Sequence, residues 1–322
     1  MKDVKVGDFV KVPNIYKHEK PIPWEKWDES NIRIDQRVGN PLGNKDFWWL
    51  VGLILGDGWC ATPAKNRPCG CVGIAFNLNE TFYIEKAKRI ISEVLNRHVK
   101  SRQKGLGNSA EVLFNCQQFW NFFKENFGIG AKNKNLPEWV KFLPNDLKMN
   151  LIVGYFSADG CLCKSRDSYN AVSCSLKLLE DMQDILFSLG IISTVHWMRS
   201  TKKVHQITSQ QRLSVVNQAW TLDVHGDMIN KFKRMYSAPD LKLDKWEYKT
   251  YTDHAIPRCF FEDETCNYIY IKISEIEVSK YTGIVYNYHC ETSTFMCHYI
   301  PTHNCDSIDG DSTTSTGQDD VS

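Results

Sequence analysis

Apolar and polar positions change pattern several times along the chain, and each change predicts an element. "VKVGDFVKV" (4–12) alternates with period two, broken at Gly7-Asp8, and predicts two short strands around a turn. Residues 13–45 carry Pro13, Pro21, Pro23 and Pro41, which interrupt any helix and predict an irregular stretch, with 24–45 a linker. "FWWLVGLILGDG" is then apolar all round, as a buried helix is. A hairpin ending in "CVGIAFNL", a helix "ETFYIEKAKRIISEVLN", a second hairpin "VKSRQKGLGNSAEVLFN" and a helix "QQFWNFFKENFG" follow. The order then begins again with an apolar helix "LKMNLIVGYFSADG", a hairpin "CLCKSRDSYNAVSCSL" and a helix "LLEDMQDILFSLG". Strands in "ISTVHWMRS" and "RLSVVNQAWTLDV" and a helix "GDMINKFKRMY" close the second round.

A recurrence at about 100 residues predicts two related half-domains, about 46–148 and 149–255, rather than a solenoid. "NYIYIKISEIEVS", "GIVYNYHCE" and "STFMCHYIP" return to strand patterning. The expected fold class is therefore α+β. A duplicated domain (46–255) is inserted in an all-β domain made of 1–23 and 256–304, and a polar tail (305–322) follows.

Composition adds little until it is resolved along the chain. The net charge is +1, yet residues 86–104 hold seven Lys/Arg against one acid, and the tail after Cys305 holds five Asp and no base. Basic residues recurring through "HVKSRQKG" and "VHWMRSTKKVH" place several cations on one strand face, the footprint of a nucleic-acid surface. Lys100, Arg102, Lys104, Arg199, Lys202 and Lys203 are the expected DNA contacts, with Gln103, Gln206 and Gln210 placed to read bases. No apolar run approaches the roughly 18 residues of a membrane span, and no signal peptide is visible. The 12 Cys are scattered, which suits free thiols in a reducing compartment, so a cytoplasmic location is expected.

The two apolar helices carry the chemistry. "LVGLILGDG" (50–58) and "LIVGYFSADG" (151–160) both end in Asp-Gly, with small residues four apart at Gly52/Gly56 and Gly154/Ala158. That spacing lets two helix backbones approach closely, which would bring Asp57 and Asp159 together at one end. Gly58 and Gly160 are expected to provide the backbone freedom of the helix-terminal turns. Two carboxylates at negative dipole ends repel, and a divalent cation between them relieves the repulsion. Mg²⁺, or Mn²⁺, is the expected cofactor, held by Asp57 and Asp159.

These motifs resemble those of the LAGLIDADG homing endonucleases in their two-motif, monomeric form, over about 46–250. "NKNLPEW" resembles that family's K-x-I-P element and "EDMQDILFSLGI" the helix after its second motif. The resemblance implies two αββαββα halves, sheets saddled on double-stranded DNA, and Asp57 and Asp159 as metal-binding catalytic residues. It also implies Lys134 as a catalytic lysine that stabilises a phosphate or poises a water.

At the other end, "GIVYNYHCETSTFMCHYIPTHNC" resembles the C-terminal splicing motifs of inteins, and "VKVGDFVKVP" the segment before an inserted endonuclease. An Asn side chain can attack its own carbonyl, a preceding His can assist, and a following Cys can accept an acyl group. His303, Asn304 and Cys305 stand in that order. Asn287 and Ser293 replace residues usual in those motifs. The stretch before Val4 carries neither a nucleophile nor a T-x-x-H motif, so the expected splicing partner is an N-terminal intein fragment supplied in trans. Two other readings stand beside this one: an endonuclease with an inert Hint remnant, and a non-cleaving nucleic-acid-binding module of the maturase kind.

Overall fold

The computed structural model describes residues 4–63, 70–103, 107–198, 205–206, 213–214, 219–235, 243, 247, 260–262, 268–273, 276, 294–297 and 300–303. Strand β1 (Phe9–Pro13) comes first, then α1 (Lys45–Asp57), β2 (Gly58–Ala61), β3 (Cys71–Asn77), α2 (Thr81–Glu93), β4 (Val99–Gln103) and β5 (Ser109–Asn115). Next are α3 (Gln117–Phe127), α4 (Glu138–Lys141), α5 (Asn145–Asp159), β6 (Cys161–Cys163), β7 (Ser168–Ser173) and α6 (Leu176–Ser188). The rest are β8 (Ser193–Met198), β9 (His205–Gln206), β10 (Leu213–Ser214), β11 (Ala219–His225), α7 (Asp227–Met235), β12 (Phe260–Glu262), β13 (Tyr268–Lys272), β14 (Thr294–Cys297) and β15 (Ile300–His303). The chain divides into two units, Met1–Asn14 with Pro257–Ser322, and Ile15–Ile256.

In the first unit β1, β13 and β12 form an antiparallel sheet in that order, with Phe9 opposite Lys272 and Pro13 opposite Tyr268. The first of the two strands expected in 4–12 is a turn instead. The Asp8 carboxylate accepts the Lys5 N–H at 2.7 Å, and Gly7 takes φ +101°. A short polar side chain that satisfies a neighbouring amide competes with a sheet ladder, and here it wins. "STFMCHYIP" is not one strand but the β14–β15 hairpin, with Thr294 opposite His303. Residues 277–293, with Asn287 and Ser293, and 304–322 lie outside the described residues.

The second unit is mixed α/β with two antiparallel four-stranded sheets, β2-β3-β5-β4 and β6-β7-β11-β8. Helices α2 and α3 pack on the first sheet, α6 and α7 on the second. One apolar cluster runs through both halves. The proline-rich stretch holds only short 3-10 turns, as its prolines dictate. It is nonetheless no linker: Trp27, Val38 and Leu42 are buried in the cluster, and the Trp27 indole N–H donates to Val38 O at 3.0 Å. Its apolar residues are too widely spaced to show a period. The two-residue strands β9 and β10 and the single-turn α4 are below what periodicity resolves.

Helices α1 and α5 pack on each other at the centre. Asn44 caps α1 by accepting the Phe47 N–H at 3.2 Å. A Cβ on Gly52 would run into Leu151 O and lie 2.7 Å from Tyr155 N. One on Gly154 would run into Trp49 O and lie 3.0 Å from Leu53 N. The two backbones therefore touch, as the glycine spacing predicts. Lys148, on the first turn of α5, is fully buried and donates to Tyr16 O (2.9 Å) and Ser188 Oγ (3.0 Å). Burial pulls its pKa down to about 8, although Glu19 opposes the shift.

Two expectations follow from this packing. Gly52→Ala and Gly154→Ala should each lose about 3 kcal/mol in urea unfolding, the upper end of overpacking costs because the obstacle is backbone. Gly39→Ala, with open space around its Cβ, should be near neutral. Lys148 carries its full desolvation cost below pH 8, where folded and unfolded chains are both protonated there. Between pH 8 and the unfolded lysine value of 10.5 the folded chain sheds that proton first, so stability rises with pH. The Tm difference between wild type and Lys148→Met should move toward wild type across that window in thermal melts.

Candidate active site

The helix contact sets the site. Asp57 is the last residue of α1 and Asp159 the last of α5, at the same end of the pair, and both are half-buried. A Cβ on Gly56 would run into the Ala158 methyl and lie 3.1 Å from Asp159 Oδ2. Gly56 is thus the place where α1 leaves room for the other helix's carboxylate.

Gly58 and Gly160 serve differently from the expectation. Both are extended, at φ −91° and −68°, so no left-handed turn calls for glycine. Space does: a Cβ on Gly58 would sit 2.5 Å from Ile54 O, and one on Gly160 2.6 Å from the Tyr169 hydroxyl.

Lys134 completes the group. Its side chain is buried, and the ammonium donates to Ile54 O (3.1 Å), Leu55 O (2.8 Å), Gly56 O (3.2 Å) and Gly58 O (3.0 Å). These carbonyls cluster at the C-terminus of α1, where the helix dipole is negative, and Ile54 O also accepts the Gly58 N–H. An ammonium has three N–H groups for four acceptors, so at least one hydrogen bond is shared. Burial lowers the Lys134 pKa, and the charges of Asp159, Cys60 and Asp57 oppose that shift. Cys60 beside it is a half-buried thiol; desolvation pushes its pKa up to about 12, with Lys134 pulling the other way. Tyr155, fully buried one turn before Asp159, is raised first by burial and then by Asp159 and others, Asp57 among them.

Sequence reasoning missed what holds Lys134. Ser175 caps α6 by accepting the Leu178 N–H and donates its hydroxyl hydrogen to Lys134 O at 2.6 Å. Asp181, fully buried on α6, accepts the Leu136 N–H at 2.9 Å and pairs with Lys141 and Lys177 at 2.7 Å each. Lys141 also pairs with Asp184 at 2.7 Å. The segment that carries Lys134 is therefore clamped by a helix of the other half. The acid-base spacing of "KLLEDMQD" was the available signal, but its partners lie about 40 residues upstream.

Donor chemistry favours a hard cation at the helix ends. Among the described residues no group of three or more His, Cys, Asp or Glu forms a metal site. Two half-buried carboxylates at adjoining helix ends, where backbone carbonyls also gather, are still an all-oxygen set. Mg²⁺ takes one or two carboxylates and keeps several waters, so the residues fit it.

The first sheet presents a second feature. Trp59, two residues after Asp57, lies over Gly73, whose added Cβ would collide with the indole ring. Lys100 and Arg102 are exposed on edge strand β4. Arg102, however, is not a lone cation: Nε and Nη2 donate to Glu111 Oε2 at 3.1 and 2.9 Å. On the second sheet His196 Nδ1 lies 3.4 Å from the buried Asp223. Gln103 donates to Gly107 O at 3.1 Å. Lys104, Arg199, Lys202, Lys203 and Gln210 lie outside the described residues, as do Asn304, Cys305 and the side chains of Gln206 and His303. Among the described residues no helix is long and apolar enough to cross a membrane.

Comparison with known proteins gives the middle of the chain a relationship. Residues 146–222, from α5 through most of β11, match the model of the LAGLIDADG-like domain. Two uncharacterized proteins of Methanocaldococcus jannaschii are each 24% identical, over 280 and 324 residues. They match 81% and 94% of this chain but only 28% and 36% of their own lengths, so the chain spans about a third of these curated relatives. Among solved structures, the homing endonuclease I-DmoI in complex with DNA and Ca is similar at a TM-score of 0.43 and 16% identity. That match covers 61% of this chain and 91% of I-DmoI.

Proposed function

We propose that the second unit is a metal-dependent, site-specific endonuclease that makes double-strand breaks in DNA as a monomer. The observation that carries this reading is the meeting of Asp57, Asp159 and Lys134 at the joined ends of α1 and α5. A bound Mg²⁺ or Mn²⁺ would supply Lewis-acid stabilisation and a more acidic water for phosphodiester hydrolysis. The chain's own part is to fix two carboxylates through a backbone-to-backbone helix contact. Burial also makes Lys134 give up its proton more readily than a free lysine does. An ammonium that feels both carboxylates lowers their mutual repulsion until the cation and phosphate arrive. The duplicated motif and the LAGLIDADG-like match over 146–222 support the assignment.

Asp57→Asn and Asp159→Asn should each abolish Mg²⁺-dependent cleavage while leaving duplex binding and thermal unfolding close to wild type. Lys134→Met should slow single-turnover cleavage by on the order of 10²-fold, in line with loss of a proton-transfer group. Binding without nicking in any divalent metal would return the chain to the non-cleaving nucleic-acid module.

A second reading concerns the first unit, which we propose is a C-terminal intein splicing element. What supports it is that β1, from one end of the sequence, pairs in a single sheet with β13 near the other, while 15–256 form a separate unit. In this reading the Asn304 side-chain amide attacks its own carbonyl carbon, forming a succinimide as the bond to Cys305 breaks. His303 protonates the departing nitrogen, and the Cys305 thiol takes the acyl group from a thioester or ester on an N-terminal splicing segment, whose own thiol or hydroxyl leaves. Mass spectrometry with a matched N-terminal segment should show release after Asn304 and ligation at Cys305. Asn304→Ala should stop the release, and a mass unchanged in wild type would leave the element inert.

A further inference from the structure

We propose that Arg102 reads a guanine in the DNA target rather than holding a phosphate, and that Glu111 is the residue that sets this role. The proposal rests on the DNA reading of the second unit. Arg102 on β4 and Glu111 on β5 are directly opposite in the antiparallel ladder, and Ala75 on β3 is opposite Glu111 on the other side. All three side chains therefore leave the sheet on one face. Lys100, two residues earlier on β4, shares that face.

Burial within the pair is unequal: the Glu111 side chain is 4% exposed and the Arg102 side chain 64%. Both contacts to Glu111 come from the Nε/Nη2 edge of the guanidinium and end on one oxygen, Oε2. That leaves the outer Nη1/Nη2 edge, a planar fork of N–H donors, turned away from the carboxylate.

A donor fork can meet either a phosphate or the O6 and N7 of guanine in the major groove. Two facts separate these. Arg102 with Glu111 is electroneutral, so its long-range pull on a phosphate is cancelled where that of Lys100 is not. The buried carboxylate also fixes the plane of the fork, and a bidentate base contact needs a fixed plane where a phosphate contact does not. Ala75 beside the pair leaves the face low enough for a base edge to approach. A purely structural pair, present only to neutralise buried Glu111, is the competing account.

The test is selection of binding sites from a randomised duplex library by the full chain, without added divalent metal, followed by salt titrations on the selected duplex. Wild type should enrich a site with one fixed guanine whose replacement costs roughly tenfold or more in affinity. Arg102→Lys keeps a cation against Glu111 but loses the fork. It should lose that guanine preference with the slope of log K against log salt unchanged. Lys100→Ala should keep the guanine and reduce the slope by about 1. Glu111→Gln releases the arginine's charge, so the slope should steepen by about 1 while the guanine preference weakens. The proposal is overturned if Arg102→Lys selects the same site with the same preference at every position, or if Glu111→Gln leaves the slope unchanged. A library from which wild type enriches nothing removes the DNA reading itself, an outcome distinct from an enriched site indifferent to Arg102.

Discussion

The closeness of two helix backbones governs this molecule. Where Gly52 meets Leu151 O and Gly154 meets Trp49 O, no side chain intervenes between α1 and α5. Helices that interlock through ordinary side chains stand 8–10 Å apart, and contact through glycine is closer. That difference is what lets the residue at the end of one helix stand beside the last turn of the other. The apolar flanks of the same helices, Trp48, Trp49, Phe47 and Phe156 among them, are fully buried and fill the space the glycines leave narrow. Core and site are thus produced by the same contact.

The electrostatic consequence is a shortage of positive charge. Two carboxylates and two helix C-termini meet where the chain supplies the buried ammonium of Lys134, itself spread over four carbonyls. Each negative group alone is tolerable at a half-exposed position, but together they make a place where a doubly charged ion gains more than a monovalent one. Burial adds to this by lowering the local dielectric around Lys134 and Tyr155, which strengthens each charge's hold on the next. The site is best understood as an incomplete charge balance held rigid by packing.

The sequence disclosed what repeats and what is periodic. The helices α1 and α5, their matched glycines and both terminal aspartates were legible because the same pattern occurs twice at the same place in each half. Several features were not. Glycine marks both positive φ and lack of room, and at Gly58 and Gly160 the sequence alone does not separate the two. Trp27 and Val38 belong to the core although their neighbourhood reads as a linker, since isolated buried residues carry no period. The acceptors of Lys134 lie 76 to 80 residues away along the chain, and nothing local announces them. Arg102 was legible as an exposed base but not as a paired one, because cross-strand register depends on the turn between β4 and β5. The division into two units rests on contacts between distant segments, where strand patterning alone left the boundaries approximate.

Ser175 and Asp181 belong to the second half, yet they grip the loop that carries the first half's lysine. The duplication is therefore not modular. A recombinant that joined this first half to a foreign second half would keep both aspartates and both glycine motifs. Unless it inherited matching residues on α6, its lysine loop would lose its anchor. Residues 134–141 and 175–184 therefore act as one structural block spread over the two halves. With such a block in place, the two halves can differ in what they touch while the lysine of one stays anchored by the helix of the other.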